Sequence, residues 1–284
     1  MTSVNFKTPV HHEPLRFTKM QALGNDFIVI DARDLKIKEP WLLARRLCER
    51  RFGIGADQML MLDDGSNAPF KMRIFNADGS EVEMCGNGIR CLAKYIWDRG
   101  LSDKETIEIE TMAGIIRPQK SGLLIKVDMG MPELEGRRIP VNLDGRVVDY
   151  PLEIKDMVFK ITCISMGNPH AVIFVDNLAE FPVSYYGPLI EVHPIFPKRT
   201  NVEFIEVVGT DIIKMRVWER GAGETPACGT GACASAIAAN LKGLTGRKVR
   251  VVLEAGELLI EQAGDGRVYM TGPAVEVFEG EMVI

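Results

Sequence analysis

The chain has little of what marks a nucleic-acid, membrane or metal-binding protein. Of its 284 residues, 34 are Lys or Arg and 39 are Asp or Glu, a net charge of −5. No basic stripe stands out from that balance, so nucleic acid is not an expected partner. No apolar run is long enough to span a bilayer. The stretch from Met1 to Pro14 is polar, lacks a signal-peptide apolar core and reads as a loosely ordered extension. These absences predict a cytoplasmic protein with no membrane partner. Histidine is scarce (His11, His12, His170 and His193), and no C-x-x-C pair exists, so zinc-finger ligation is not expected. Neither a Walker loop nor a dinucleotide fingerprint occurs, and no convincing phosphate cup for pyridoxal phosphate is visible. No metal and no cofactor are therefore expected.

Against these absences stands one repeated tetrapeptide, Cys-Gly-x-Gly. It occurs as Cys85-Gly86-Asn87-Gly88 and again, 143 positions later, as Cys228-Gly229-Thr230-Gly231. Laid gaplessly over Lys214–Ala236, the segment Lys71–Ala93 matches at 8 of 23 positions, where ordinary composition gives about one or two. The same offset lays Gly24-Asn25 on Gly167-Asn168 and Gln58 on Asn201. An internal duplication follows, with a period too long for a solenoid. It predicts two similar lobes facing each other across a cleft, a favoured ligand position.

The pattern of strands and helices repeats too. In the first half, strands are expected at Leu15–Met20, Phe27–Asp31, Gln58–Leu62, Phe70–Phe75, Thr106–Thr111, Ile115–Pro118 and Leu123–Met129, with helices at Pro40–Arg51 and Gly86–Trp97. In the second, strands are expected at Val158–Ser165, Ala171–Val175, Val202–Val207, Ile212–Trp218 and four further segments from Val249. Helices are expected near Tyr185–His193 and at Gly231–Lys242. The fold class predicted is α+β: two pseudo-symmetric strand-rich lobes, each wrapped around a central helix, with the active site in the cleft between them. The boundaries expected are an extension over 1–14, an N-terminal lobe over 15–130 joined by a C-terminal strand at 274–284, and a C-terminal lobe over 131–273. Cys48, Cys91, Cys163 and Cys233 read as core residues.

Cys85 and Cys228 differ because each opens a helix behind glycines. A thiol titrates near pH ~8.5, and lowering that by about 1.5 units requires roughly 2 kcal/mol of preference for the anion. A helix N-terminus usually contributes ~0.3–1 kcal/mol, so a neighbouring base or cation must help. The glycines let unpaired backbone N–H groups approach an anion closely, as a carboxylate site requires. Two such units suit inversion at the α-carbon of an amino acid: one thiolate removes the α-proton and the opposed thiol delivers another to the far side. N–H groups aimed at the carboxylate stabilise the planar carbanion.

Further segments carry a resemblance: Leu23-Gly24-Asn25-Asp26-Phe27, Phe75-Asn76-Ala77-Asp78-Gly79-Ser80-Glu81, Met166-Gly167-Asn168-Pro169-His170, and Glu219-Arg220-Gly221-Ala222-Gly223-Glu224-Thr225 running into Ala227-Cys228. From about Phe17 onward the chain resembles the diaminopimelate epimerases, cofactor-independent enzymes that interconvert LL- and meso-diaminopimelate on the route to lysine and the bacterial cell-wall precursor. The resemblance implies that Cys85 and Cys228 are the acid/base thiols. It implies a cradle for the reacting-end carboxylate from the N–H groups of Gly86, Asn87, Gly229 and Thr230. It also implies a distal clamp of Asn76, Asn168, Asn201 and Arg220, with Asn25 and Gln58 lining the site. His170 and Glu219 resemble a pair that helps the thiols trade protons. Thr230 stands where many members carry serine. The partner implied is a small-molecule substrate, and the assembly implied is a homodimer. Three other readings remain open: a two-cysteine racemase of the proline racemase kind, a thiol–disulfide exchange protein, and a catalytically idle isomerase-like binding protein.

Overall fold

The computed structural model describes residues 14–283. The expected extension over 1–14 lies outside the described residues except for Pro14. In chain order the first elements are β1 (Leu15–Ala22), β2 (Asn25–Asp31), α1 (Pro40–Cys48), β3 (Gln58–Asp64), β4 (Phe70–Asn76), β5 (Glu81–Val82), α2 (Gly86–Asp98), β6 (Ile109–Thr111) and β7 (Gly114–Ile116). Then follow β8 (Gln119–Ser121), β9 (Leu124–Gly130), a 3-10 turn at Gly136–Arg138, β10 (Tyr150–Ile154), β11 (Met157–Ser165), β12 (Pro169–Phe174), α3 (Val183–Glu191), β13 (Asn201–Gly209) and β14 (Ile212–Glu219). The chain closes with β15 (Gly223–Thr225), α4 (Gly229–Leu241), β16 (Lys248–Leu253), β17 (Gly256–Gln262), β18 (Val268–Gly272) and β19 (Val275–Met282). The result is the expected α+β class, with two strand-rich units.

One unit holds the chain up to Asp103, Glu108–Ile116 and the segment from Ala274; the other holds Lys104–Ile107 and Arg117–Pro273. In the first, the sheet runs β19-β1-β2-β3-β4-β6-β7, with β5 paired to β4. Phe27, Ile28, Val29 and Ile30 are all buried, as are Met59, Leu60, Met61 and Leu62. Continuous apolar runs of this kind mark a sheet covered on both faces. Ile28, Ile30, Met59 and Met61 pack with Ala44 and Leu47 of α1. Phe27 and Leu60 lie under the start of α2, next to Gly88.

The second unit has the sheet β10-β11-β12-β13-β14-β16-β17-β18-β9-β8, with β15 paired to β14. Phe159, Ile161, Ile173, Val202 and Phe204 form a core with Val183 and Ile190 of α3. From Gly231 to Ala239 every residue of α4 is buried. A helix lined all round with Ala, Ser and Cys has no wet face and must be central. Residues 124–130, placed in the first lobe by the sequence reading, pair as β9 with β18 of this sheet.

The duplication extends to hydrogen-bond register. In the parallel pair β2–β3, Phe27 faces Gln58; in the parallel pair β12–β13, His170 faces Asn201. In the next antiparallel pairs Leu60 faces Ile74 and Glu203 faces Val217. Each position in the second unit is 143 beyond its counterpart.

Some boundaries differ from expectation. Helix α1 stops at Cys48 rather than Arg51, because Glu49 turns extended and the carbonyls of Leu47 and Cys48 are taken by Ile54, Gly55 and Ala56. Thr106 makes only an isolated bridge to Gln119, and its strand begins at Ile109. The third helix is Val183–Glu191, and the fourth starts at Gly229. The expected core cysteines, Cys48, Cys91, Cys163 and Cys233, are buried, and burial pushes the Cys48 thiol up to about 12.

Candidate active site

Each Cys-Gly-x-Gly motif forms a helix start with the cysteine as N-cap. Cys85 has extended dihedrals (φ −139°, ψ 118°), and Gly88 N–H donates to its sulfur at 3.4 Å. Cys228 caps α4 with nearly the same backbone (φ −133°, ψ 113°). The orphan N–H groups of the first helical turn therefore begin at Gly86 in one unit and Gly229 in the other.

In the first unit Asn25 meets the cysteine. The chain reaches it through a turn in which Leu23 and Gly24 both have positive φ (54° and 81°). Asn25 Oδ1 lies 3.8 Å from Cys85 Sγ and accepts from Asn87 Nδ2 at 3.3 Å. Its orientation is fixed from behind, since Asn25 Nδ2 donates to Asp57 Oδ2 at 2.8 Å. Asp57 is itself tied to Arg50, which also binds Asp26, and Lys19 reaches Asp26 at 2.7 Å. Asn87 Oδ1 accepts from the buried Arg90 at 2.9 Å. Gln58 and Asn76 pair across adjacent strands, Nε2 to Oδ1 at 2.8 Å, and Gln58 Oε1 is buried without a partner among the described residues.

The second unit is built differently behind the same helix start. His170 Nδ1 lies 2.6 Å from Glu203 Oε1, and His170 Nε2 lies 3.0 Å from Asn168 Oδ1. Neither His170 nor Glu203 has solvent exposure. Asn201 is almost wholly committed to the backbone: Nδ2 donates to Pro169 O at 3.1 Å, and Oδ1 accepts from Arg220 N at 2.8 Å. Glu219 Oε1 accepts from Thr225 Oγ1 at 2.5 Å. The turn after Glu219 is held by Glu191, which accepts from Trp218 Nε1 at 2.8 Å and Gly221 N at 3.0 Å. The exposed Arg220 guanidinium donates to Lys198 O at 3.1 Å, its one side-chain hydrogen bond among the described residues.

Electrostatics make Cys228 an acid in this state. Burial, then the charge of Glu219, push its thiol well above the ordinary range; Thr230 (Oγ1 at 3.5 Å) and the Gly231 N–H pull the other way and lose. Burial likewise pushes the Glu203 carboxyl up, against the opposing pull of His170.

Within the first unit the structure thus joins Asn25, Cys85 and Asn87, and separately Gln58 and Asn76. Within the second it joins Asn168 to His170, Asn201 to Arg220, and Cys228 to Thr230. Sequence reasoning missed Asp57, Arg90, Glu191 and Glu203. For Glu203 a signal existed: it is the charged residue within the run Val202–Ile205, and the 143 offset lays it on Leu60.

Comparison with known proteins identifies the family of the chain. The family model for diaminopimelate epimerase matches residues 17–135 and 162–277. A diaminopimelate epimerase from Moorella thermoacetica is 52% identical over 275 residues, covering 94% of this chain and 99% of the relative. One from Methanococcus maripaludis is 51% identical over 277 residues, covering 95% and 100%. Among solved structures, a phenazine biosynthesis protein of the PhzF family from Bacillus anthracis shares the fold at a TM-score of 0.69 and 19% identity, covering 96% of this chain and all of that one. A hydroxyproline epimerase from Agrobacterium vitis does so at 0.68 and 14%, covering 97% and 94%. By its sequence, the chain belongs to the diaminopimelate epimerase family.

Proposed function

We propose that the chain interconverts LL- and meso-diaminopimelate without a cofactor, using Cys85 and Cys228 on opposite faces of one α-carbon. The observation that carries this reading is the matched pair of cysteine-capped, glycine-rich helix starts, one in each unit. One sulfur, as thiolate, takes the α-proton, and the electron pair spreads into the carboxylate. The other sulfur, as thiol, gives its proton to the opposite face. The two cysteines end with their protonation states exchanged. The N–H groups of Gly86, Asn87, Gly229 and Thr230 receive the charge that builds on the carboxylate oxygens. Cys228, held as a thiol by burial and by the charge of Glu219, begins as the donor.

Asn76, Asn168, Asn201 and Arg220 serve the distal amino-acid end, with Asn25 and Gln58 completing the lining. Arg220 supports this because an exposed guanidinium with most of its N–H groups uncommitted suits a planar carboxylate. Asn201 contributes chiefly by fixing the Arg220 and Pro169 backbone. His170 and Glu219 complete the proton-handling set. We place the enzyme in the cytoplasm as a homodimer. The edge strand β19, with Val275, Val277 and Phe278 exposed, offers an apolar border for a second copy.

A substrate panel tests the reading. Purified protein without added cofactor is incubated in deuterated water with LL- and meso-diaminopimelate, proline and simple amino acids. Deuterium is expected at the α-carbon of the diaminopimelate isomers alone. Exchange into proline with none into diaminopimelate would overturn it. Sedimentation at micromolar concentration reads the assembly state; a monomer would overturn the dimer.

A further inference from the structure

The pair His170–Glu203 is not needed to fill its space. The corresponding places in the first unit, 143 positions earlier, hold Phe27 and Leu60, which are equally buried. Leu60 and Phe27 lie under the last glycine of the first motif, and Glu203 lies under that of the second. A Cβ on Gly88 would sit 3.2 Å from Leu60 and 3.4 Å from Phe27; one on Gly231 would sit 2.7 Å from Glu203 Oε1. One copy of the duplication thus closes under its helix start with hydrocarbon. The other places an acid and an imidazole there, although burying such groups is costly unless they are satisfied.

Counting hydrogens shows the state of the pair. Glu203 Oε1 bonds His170 Nδ1, while Glu203 Oε2 is buried with no partner among the described residues. A carboxylate would leave a charged oxygen bare. A carboxylic acid with its proton on Oε1 donates to Nδ1 and leaves only a neutral carbonyl oxygen bare, which costs far less. The ring hydrogen is then on Nε2, where Asn168 Oδ1 accepts it at 3.0 Å. With its oxygen so engaged, Asn168 keeps its Nδ2 group as a donor, with no partner among the described residues. Burial acts on Glu203 in the same direction.

We propose that Glu203 is a positioning residue: as a buried neutral acid it holds His170 in the Nε2–H form, and His170 in turn orients the Asn168 amide so that Nδ2 is presented to substrate. The final step rests on the reading of Asn168 as part of the distal clamp. His170 Nε2–H is then committed to Asn168 and Nδ1 to Glu203, so in this state His170 acts through the Asn168 amide.

The test uses the full chain labelled with 15N-histidine, its His170 signal identified by its loss in His170→Phe. Two-bond proton–nitrogen spectra and steady-state kinetics are recorded for wild type, Glu203→Gln and Glu203→Leu. Wild type is expected to show His170 protonated at Nε2 alone. Gln can still donate to Nδ1, so Glu203→Gln should keep that pattern and stay within about threefold of wild-type kcat/KM. Leu, the residue of the first unit, cannot donate; the single tautomer should be lost and KM should rise roughly tenfold, with kcat less affected. An imidazolium pattern in wild type, or Glu203→Gln as damaging as Glu203→Leu, overturns the proposal. Absence of diaminopimelate turnover in wild type would defeat the functional reading instead, and the nitrogen spectra would still decide the state of Glu203.

Discussion

Alanine at Gly88 and alanine at Gly231 are the same change at matching points of the repeated motif, and their surroundings predict different outcomes. At Gly88 the new Cβ meets Leu60 Cδ2 at 3.2 Å and Phe27 Cε1 and Cys85 Cβ at 3.4 Å. The nearest of these is the end of a leucine, which can yield by a few tenths of an ångström. Replacing a helical glycine with alanine contributes about 0.5–1 kcal/mol, so Gly88→Ala should be neutral or slightly stabilising. At Gly231 the Cβ lies 2.7 Å from Glu203 Oε1. That oxygen is fully buried and held 2.6 Å from His170 Nδ1, so it cannot swing into solvent. Overpacking of this kind costs ~1–3 kcal/mol, which leaves a net loss of about 1–2 kcal/mol after the helical gain. For a unit of this size each kcal/mol moves the melting point by about 2–4 °C, so Gly231→Ala should melt roughly 2–8 °C below wild type. It should also lose activity, because the Cβ of Cys228 lies 3.3 Å from the new methyl. Calorimetry of the three proteins decides the matter. Gly231→Ala melting at or above both wild type and Gly88→Ala would refute the reasoning.

Three further outcomes are expected. Arg220→Lys removes the planar two-pronged contact proposed for the distal carboxylate and should raise KM for diaminopimelate about 10–100-fold with a smaller change in kcat; an unchanged KM would remove Arg220 from the proposed clamp. Burial favours the neutral form of Asp26, but hydrogen bonds from Arg50 and Lys19 outweigh it and hold the carboxyl well below the usual range. That stabilisation is present above the ordinary carboxylate pKa of about 3.9 and is lost as pH falls below it. Arg50→Met should therefore unfold at a higher pH than wild type in acid titrations, and coincident acid midpoints would count against the network. Cys228 is raised by burial, then by the charge of Glu219, so its alkylation by iodoacetamide should be slow at neutral pH. Glu219→Gln should shift that alkylation to lower pH, as read by peptide mass spectrometry; an unmoved profile would contradict the assigned cause.

Much of the site was legible in the sequence because the motif residues act through local backbone. A cysteine before Gly-x-Gly caps a helix by short-range geometry, and both copies do so here. Apolar runs such as Phe27–Ile30 marked strands well, but their burial on both faces erases the alternation that would show which side each residue serves. Glu203 was lost in that way, and its partner His170 is 33 positions distant. Asp57 and Glu191 were missed for a related reason: they act on Asn25 and Gly221 across 32 and 30 positions of chain. The short pairings of β5 and β15 carry no periodicity, being two and three residues long. The duplication itself held the remaining clue, since comparing position with position exposes where one copy is apolar and the other polar.

The two-thiol mechanism is tested most directly by following the α-hydrogen in single-cysteine variants. Cys85→Ala and Cys228→Ala are each incubated with LL- and meso-diaminopimelate in deuterated water, and inversion is followed together with label incorporation. Removal of a positioned acid or base costs about 100-fold or more, so both variants should lose epimerisation by at least that factor in both directions. Wild-type inversion by either variant alone would contradict the mechanism outright.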